Sequence, residues 1–536
     1  MDSTSPRIAI IGTGPTGIYT LQSLLAAGTP LSVTLFEKAP VAGQGMPYSP
    51  KSATRMMLAN IASIEIPPVG PTYLDWLRAQ SDARLAEFGL EREALDRRSF
   101  TPRLLLGAYY REGLAGLVRE GRAAGHDIRL REGAAMRDVT AAPEGLSVVT
   151  DAGSEGPFDR VIVATGHRFP GAEKASDSFF PSPWSGLIEA EIPPARVGVM
   201  GTSLSAIDAA MAVACQHGRF HDEGDDAAPL VFERDAEAGD LRIVLMSRSG
   251  ILPEADFYCP IPYLPLAVAT PQAMAARIAA GEGLDGVFAL MRAEIMQADP
   301  AWALRMGLGG LDADGFAEAY FAARNAACPF RWARDNLAEV VRNHRDRVTV
   351  GWRYALLRMH EAVEEVVPDL SEADRARFDA GLRKVFVDNY SAVPPESIRR
   401  LLALRDAGVL SLLTLGDDYD LRRDAETTRI VLDGREEAFD VFIDARGQKA
   451  MDSADLPWPT LRAELVARGQ EIPEIGQDYS LLDAGPFTGR LCLVALPWLM
   501  HDRPFVQGIT ACAEIAGAVA AGIAGRRRRH RAQDAG

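Results

Sequence analysis

Residues 7–17 read Arg-Ile-Ala-Ile-Ile-Gly-Thr-Gly-Pro-Thr-Gly, and the reading of the whole chain starts from them. A short apolar strand, Ile8–Ile11, runs into Gly12-x-Gly14-x-x-Gly17. A helical pattern follows (Ile18, Leu21, Leu24, Leu25), then a second strand, Leu31–Phe36, closed by the acid Glu37 with Lys38 after it. Strand, glycines, helix, strand and acid in this order make a βαβ dinucleotide fingerprint. Gly12 permits the tight turn, Gly14 lets the backbone approach a pyrophosphate, and Gly17 lets helix and strand pack closely. The pyrophosphate would rest on the positive end of the helix, where Pro15 fits the first turn and Thr16 follows it. Glu37 would accept hydrogen bonds from a ribose.

Downstream, Gly43-Gln44-Gly45-Met46-Pro47-Tyr48 reads as a shaped loop lying along that cofactor, with Gly45 and Met46 beside it. Asn60, in Met57-Leu58-Ala59-Asn60, has an amide suited to the edge of a ring. Residues 71–124 read as helical, with Thr101-Pro102-Arg103 opening a helix by a capping threonine and placing Arg103 at its start. Residues 127–162 alternate as strands and turns and lead to Val161-Ile162-Val163-Ala164-Thr165-Gly166-His167. At Thr165 and Gly166 small residues let backbone meet cofactor.

The opening theme returns at 196–208, where a strand meets a helix through Gly201-Thr202-Ser203-Leu204-Ser205-Ala206. Ser203 stands for the second glycine and Ala206 for the third, so a second nucleotide site is expected, with Ser205 beside it. The following strand ends Ser247-Arg248 instead of in an acid, a donor fork suited to a 2′-phosphate. Residues 267–405 are mostly helical by periodicity and carry no chemical motif. Residues 428–444 read as a hairpin, and Val441–Gly447 as a second strand-to-glycine ending, after which the chain returns to the first domain. The last motif runs from the strand Leu491–Leu496 through Trp498, His501, Arg503 and Phe505 to Gln507-Gly508 and a long helix. That helix's N-terminus would face the far end of the cofactor, with Trp498, Phe505, His501 and Arg503 bordering the reacting face. His501, Arg503 and Asn60 are the candidate catalytic side chains.

The expected domains are 1–195 and 426–525 for the first cofactor, 196–266 for the second, a helical insert at 267–425 and a basic tail at 526–536. A chain of 536 residues with 47% hydrophobic and 24% charged residues is an ordinary globular protein of several domains. A net charge of −16 argues against nucleic-acid binding. No apolar run reaches membrane-spanning length; in Ile509–Ala524, Thr510, Glu514, Gly517 and Gly522 mark a packed helix. The N-terminus lacks a signal pattern, and the five scattered cysteines contain no CxxC, so reduced thiols and a cytoplasmic location are expected. His217 and His221 lie near Asp222 and Glu223, but Gly218 breaks the helix there, so no metal site is expected.

With those motifs in hand, the chain resembles the two-dinucleotide FAD–NAD(P)-binding flavoproteins. The branch it resembles includes FAD-dependent urate hydroxylase and the FAD-dependent aspartate N-monooxygenase that forms nitrosuccinate. The resemblance rests on the opening motif with Glu37, Gly43–Tyr48, Met57–Asn60, Ala164–Gly166, Gly201–Asp208, Phe386-Val387-Asp388-Asn389-Tyr390, Asp444–Gly447 and Gln507-Gly508. It implies an α/β fold with Rossmann-like FAD and NAD(P) domains, a bound FAD and an NAD(P)H donor. Gly12, Gly14, Gly17 and Glu37 match FAD positions, and Gly201, Ser203, Ala206 and Arg248 nicotinamide-nucleotide positions. The implied reaction is hydride transfer to flavin, O₂ capture as a C4a-hydroperoxide, and oxygen delivery to a small polar nitrogen-containing substrate. Urate is the first candidate, because the aromatic and cationic loop 498–505 suits an anionic purine. Aspartate N-oxygenation is the second, and would need converging arginines such as Arg55, Arg446 and Arg503. A flavin reductase without oxygen insertion and a flavin-binding regulatory protein are the alternatives of other classes.

Overall fold

The computed structural model describes residues 5–169, 175–221, 230–503, 505–506 and 508–534, with side chains to residue 525. Its strands are β1 (Arg7–Ile11), β2 (Ser32–Phe36), β3 (Asp127–Arg131), β4 (Met136–Ala142), β5 (Gly145–Thr150), β6 (Gly153–Phe158), β7 (Arg160–Val163), β8 (Phe179–Phe180) and β9 (Arg196–Met200). There follow β10 (Gly218–His221), β11 (Val231–Arg234), β12 (Arg242–Ser247), β13 (Leu410–Thr414), β14 (Asp420–Arg423), β15 (Thr428–Leu432), β16 (Arg435–Phe439), β17 (Val441–Asp444) and β18 (Leu491–Leu493). The chain forms two compact units: Met1–Pro170 with Gln448–His501 and Val506–Gly536, and Gly171–Gly447 with Asp502–Phe505.

The first unit is built on a five-stranded parallel sheet of order β18-β7-β1-β2-β3. Strand β1 is buried on both faces, as the apolar run Ile8–Ile11 requires of a central parallel strand. Alternation divides its side chains. Ile8 and Ile10 join a core with Ile18, Leu21, Leu105, Tyr110, Ile515 and Val519, under the helices Pro15–Ala26, Arg103–Ala123 and Ile509–Asp534. Ala9 and Ile11 join another with Val139, Val148, Trp458 and Trp498, beneath the antiparallel sheet β4-β5-β6. The expected helical stretch 71–124 is interrupted: helices span Tyr73–Arg78, Asp82–Ala86 and Arg103–Ala123. Thr101 does not cap the last of these, because its hydroxyl meets Tyr73 Oη at 2.6 Å and the helix opens with no side-chain cap.

The second unit repeats the theme with a parallel sheet of order β13-β12-β9-β17-β8. The expected domain boundaries therefore shift. The first break falls at 170/171 and the return at 447/448, not at 195/196 and 425/426. The physical reason is strand pairing: β17 lies between β9 and β8, so 441–447 completes the second sheet before the chain returns. Only β15 and β16 of the expected 428–444 hairpin pair with each other. The helical segment belongs to this same unit, around a core of Met291, Phe316, Leu356, Phe378 and Phe386. No helix among the described residues is long and apolar enough to cross a membrane.

Candidate functional site

In the first unit the glycines act by what they leave out. Gly12 has φ +97°, and a Cβ there would lie 2.6 Å from the Ala164 carbonyl oxygen at the end of β7. A Cβ at Gly17 would lie 2.0 Å from the Gly12 oxygen, so the helix Pro15–Ala26 rests on the turn itself. Gly45, at φ +77°, brings the 43–48 loop onto the same turn: its Cβ would be 3.1 Å from Pro15 Cδ and 3.2 Å from Gly14 Cα. The helix opens at Gly14 with no side-chain cap. Its first N–H groups are therefore left for a ligand, an anion site by geometry and dipole. Thr16 Oγ donates to Cys512 Sγ (3.2 Å), tying this turn to the helix Ile509–Asp534.

Glu37 departs from its expected role. Its Oε2 accepts from Thr13 N (3.0 Å) and Thr13 Oγ (2.7 Å), and its Oε1 from Ala39 N (2.9 Å). The carboxylate thus staples the end of β2 to the glycine turn. An ionised carboxylate has about four acceptor positions, so roughly one is left for a ribose hydroxyl. Lys38 is exposed beside it. Met46 gives its carbonyl to Ser52 Oγ.

Arg103 positions the next group. Its N donates to Met57 O (2.9 Å) and its Nε to Leu58 O (3.0 Å), while Ala59 N donates to Thr101 O (2.9 Å). The 57–60 loop is held along the helix start, and Asn60 Oδ1 is shielded from solvent with no hydrogen-bond partner among the described residues. A buried orphan acceptor fits the donor edge of a bound ring. At the end of β7, Thr165 is half-buried, and a Cβ on the exposed Gly166 would meet nothing within 4 Å. Burial pushes the neighbouring His167 imidazole below its usual value, so the ring is neutral at neutral pH.

In the C-terminal loop the aromatics turn inward instead of bordering a reacting face. Trp498 is only 2% exposed, packs on Trp458 at 5.8 Å and donates from Nε1 to Asp452 O (3.0 Å). Phe505 is buried among Phe378, Phe386, Tyr390 and His360 of the second unit. Both are core aromatics, because each side chain is already enclosed by neighbours. His501 Nε2 lies 3.1 Å from Met451 O and 3.3 Å from Asp452 Oδ1. Arg503 is half-buried in the short second-unit strip Asp502–Phe505. Gly508, at φ +143°, precedes the last helix, and Gln507 lies outside the described residues.

The second unit carries a matching cradle. Gly201 has φ +139°, and its Cβ would lie 2.8 Å from the Ala445 oxygen at the end of β17. Gly12 against Ala164 and Gly201 against Ala445 are one device used twice. The strand-to-glycine endings 161–166 and 441–447 thus each serve their own sheet. Ala206 is buried. Ser203 takes the N-cap position of the helix Leu204–Ala214 but makes no side-chain cap; Ala206 N donates to Ser203 O (2.9 Å), so the exposed Ser203 hydroxyl and the N–H groups of Leu204 and Ser205 remain for a phosphate. Arg248 follows directly on β12, paired at 2.9 Å with Asp417; both side chains are mostly exposed. His217 is spent on Ile192 O (2.8 Å) and His221 on Glu233 (2.7 Å).

The helical segment, which carries no chemical motif in the sequence, holds buried charges. Asp388, from the Phe386–Tyr390 motif, receives Arg324 Nη1 at 2.5 Å and Tyr320 Oη at 2.9 Å. Glu254 receives Trp332 Nε1 at 2.9 Å and pairs with Arg353 at 3.0 Å. No periodicity marks such partners, since they come from segments far apart in the chain.

Residues 9–168 match the family described as FAD-NAD(P)-binding, and residues 270–390 the one described as YdhS-like middle domain. The uncharacterized protein YdhS of Escherichia coli (strain K12) is 52% identical over 521 residues, covering 96% of this chain and 97% of that protein. This chain belongs to the YdhS family. Its first unit holds that family's FAD–NAD(P)-binding domain. The fold is that of FAD- and NAD(P)-binding flavoproteins. Ornithine hydroxylase (PvdA) from Pseudomonas aeruginosa is similar with TM-score 0.54 at 14% identity, over 97% of this chain and 98% of that one. Ornithine N-hydroxylase from Kutzneria sp. 744, solved with reduced FAD and NADP⁺, gives TM-score 0.50 at 14% identity, over 98% and 100%.

Proposed function

We propose that this YdhS-family protein is an FAD-dependent, NAD(P)H-consuming monooxygenase acting on a small polar nitrogen-containing substrate. The observation that carries the reading is the paired cradle: two parallel sheets, each with an uncapped helix start and a glycine seated on a neighbouring strand's last carbonyl. One cradle suits a resident dinucleotide and the other an exchangeable one. Bound FAD supplies hydride acceptance and oxygen activation. The chain's own groups do the rest. The turn at 12–17 holds a pyrophosphate, Asn60 Oδ1 accepts from a ring N–H, and Arg248 leaves a weak surface pair to grip a 2′-phosphate.

Urate C5 hydroxylation is the first reaction to assay and aspartate N-oxygenation the second. Burial of Trp498 and Phe505 removes the stacking argument for urate. For aspartate, Arg55 is exposed and donates to Glu87 O (3.1 Å), and Arg446 is paired with Asp444 at 2.5 Å, so two of the three expected arginines are already engaged. The test is NADH and NADPH oxidation with urate, aspartate and ornithine under isotopically labelled O₂. Substrate-accelerated oxidation with the label in product supports the reading. Fast reduction of an added acceptor with no labelled product replaces it with an oxidoreductase that inserts no oxygen.

A further inference from the structure

Five of the chain's 12 tyrosines gather in one file beneath the first cradle. Tyr48 ends the turn seated against helix Arg103–Ala123, in the loop whose Gly45 touches Pro15. Its ring lies 6.0 Å from Tyr110, which is also 6.0 Å from Tyr19. Tyr110 is 5.5 Å from Tyr109, and Tyr109 is 5.2 Å from Tyr73 and 5.8 Å from Trp76. Tyr73 and Trp76 stack at 5.9 Å. Phenylalanine would fill the same space without demanding a partner for each buried hydroxyl, so packing alone does not explain the choice.

The proton partners differ along the file. Tyr19 Oη donates to Pro67 O (2.6 Å), so Tyr110 is the donor in their mutual bond at 3.1 Å. Tyr109 Oη donates to Pro71 O (2.8 Å), and Tyr73 Oη meets Thr101 Oγ. Carbonyls and hydroxyls are feeble bases. Only at Trp76, among these rings, is the partner a carboxylate: Nε1 donates to Glu112 Oε2 at 2.7 Å. Arg84 lies over the Trp76 ring at 5.3 Å and within 3.6 Å of Glu112, whose side chain is half exposed. A neighbouring guanidinium disfavours a cationic ring and so favours loss of the indole proton.

We propose that this file carries one-electron oxidising equivalents from the dinucleotide cradle to Trp76, a ring only 6% exposed whose carboxylate partner Glu112 is half exposed. The inner tyrosines lose one electron to photoexcited oxidised flavin, which would keep it, and each ring is refilled by the next. Trp76 ends as a neutral radical, its electron gone inward and its Nε1 proton on Glu112. An external thiol then returns one electron and becomes a thiyl radical, its own proton going to solvent, while Glu112 gives the proton back to Nε1. The relay rests on a flavin at the cradle, but not on oxygen insertion.

The experiment is blue-light excitation of the FAD-loaded full chain, the excited flavin serving as oxidant, read by transient absorption and electron paramagnetic resonance. The wild type should show a neutral tryptophan radical whose decay is hastened by glutathione. Trp76→Phe should abolish that signal and leave a tyrosyl one insensitive to the thiol. Tyr109→Phe, which keeps the ring and removes the oxidisable phenol, should abolish the tryptophan signal. Glu112→Gln, a change at a half-exposed side chain, should lose the neutral form. Flavin absorbance checks loading in every variant. Yellow protein in which Trp76→Phe and Tyr109→Phe leave the radical unchanged overturns the relay alone. Colourless protein overturns the cofactor assignment and the relay with it. A Trp76 radical in a protein that makes no oxygenated product sustains the relay and removes only the monooxygenase reading.

Discussion

At the scale of single residues, the glycines of the first cradle are not equivalent. A methyl at Gly12 must sit 2.6 Å from a backbone oxygen, at a φ of +97° that side chains avoid. Gly12→Ala is expected to cost about 1–3 kcal/mol and release FAD, seen as a lower Tm and lost flavin absorbance. At Gly166 the added methyl meets nothing, so Gly166→Ala should leave Tm unchanged and weaken only FAD retention. Arg248→Ala removes an exposed pair worth about 0–1 kcal/mol. Tm should hold while KM rises for NADPH and not for NADH. The glycines were legible because a fingerprint states a backbone requirement. Glu37 was legible in position but not in its bonds, since the donors Thr13 and Ala39 turn toward it only once the loop closes. Trp498 and Phe505 could not be placed at all, because an aromatic beside a glycine loop reads alike in a core and in a site.

Elements show the same division. Strands β1, β7 and β9 announce themselves as short apolar runs ending in glycine-rich turns. The sheet to which β17 belongs was not legible, because pairing with β9 joins residues more than two hundred positions apart. Helix Arg103–Ala123 was found, but its start was credited to Thr101, a residue engaged by Tyr73 instead. What seats this helix against the Met46–Tyr48 turn is Gly107, where a Cβ would lie 2.3 Å from the Tyr48 oxygen. Alanine at a helix interior gains about 1 kcal/mol over glycine. Here crowding against backbone, about 1–3 kcal/mol, should outweigh it. Gly107→Ala is expected to lower Tm and loosen FAD, measured by thermal melting and by flavin loss on dilution.

For the whole molecule, acid is one lever. Burial holds the His360 imidazole below its usual 6.5, and it stacks on Tyr390 and meets Phe505 edge-on. Above pH 6.5 neither folded nor unfolded chain protonates this group; below it the unfolded chain takes up a proton that the folded chain refuses, so stability falls. His360→Asn should flatten the acid limb of a Tm–pH profile by up to about 1.4 kcal/mol per pH unit. The chain's path sets the other lever. The first unit is made from both ends of the sequence: β18 pairs with β7, and Ile515 and Val519 share a core with Ile18 and Leu21. The second unit is nearly continuous, from Gly171 to Gly447. Ligand binding to the folded form alone should therefore act on the discontinuous unit. FAD at a hundredfold excess over its Kd should raise that unit's stability by about 2.7 kcal/mol. Cutting the chain after Gly447 removes β18 and the last helix, which exposes the core beneath helix Pro15–Ala26 and breaks the Thr16–Cys512 contact. Such a truncation should lose flavin absorbance while a nicotinamide nucleotide still raises the remaining melting transition, as scanning calorimetry would show. Loss of both responses together would mean that the second cradle draws its stability from the returning segment.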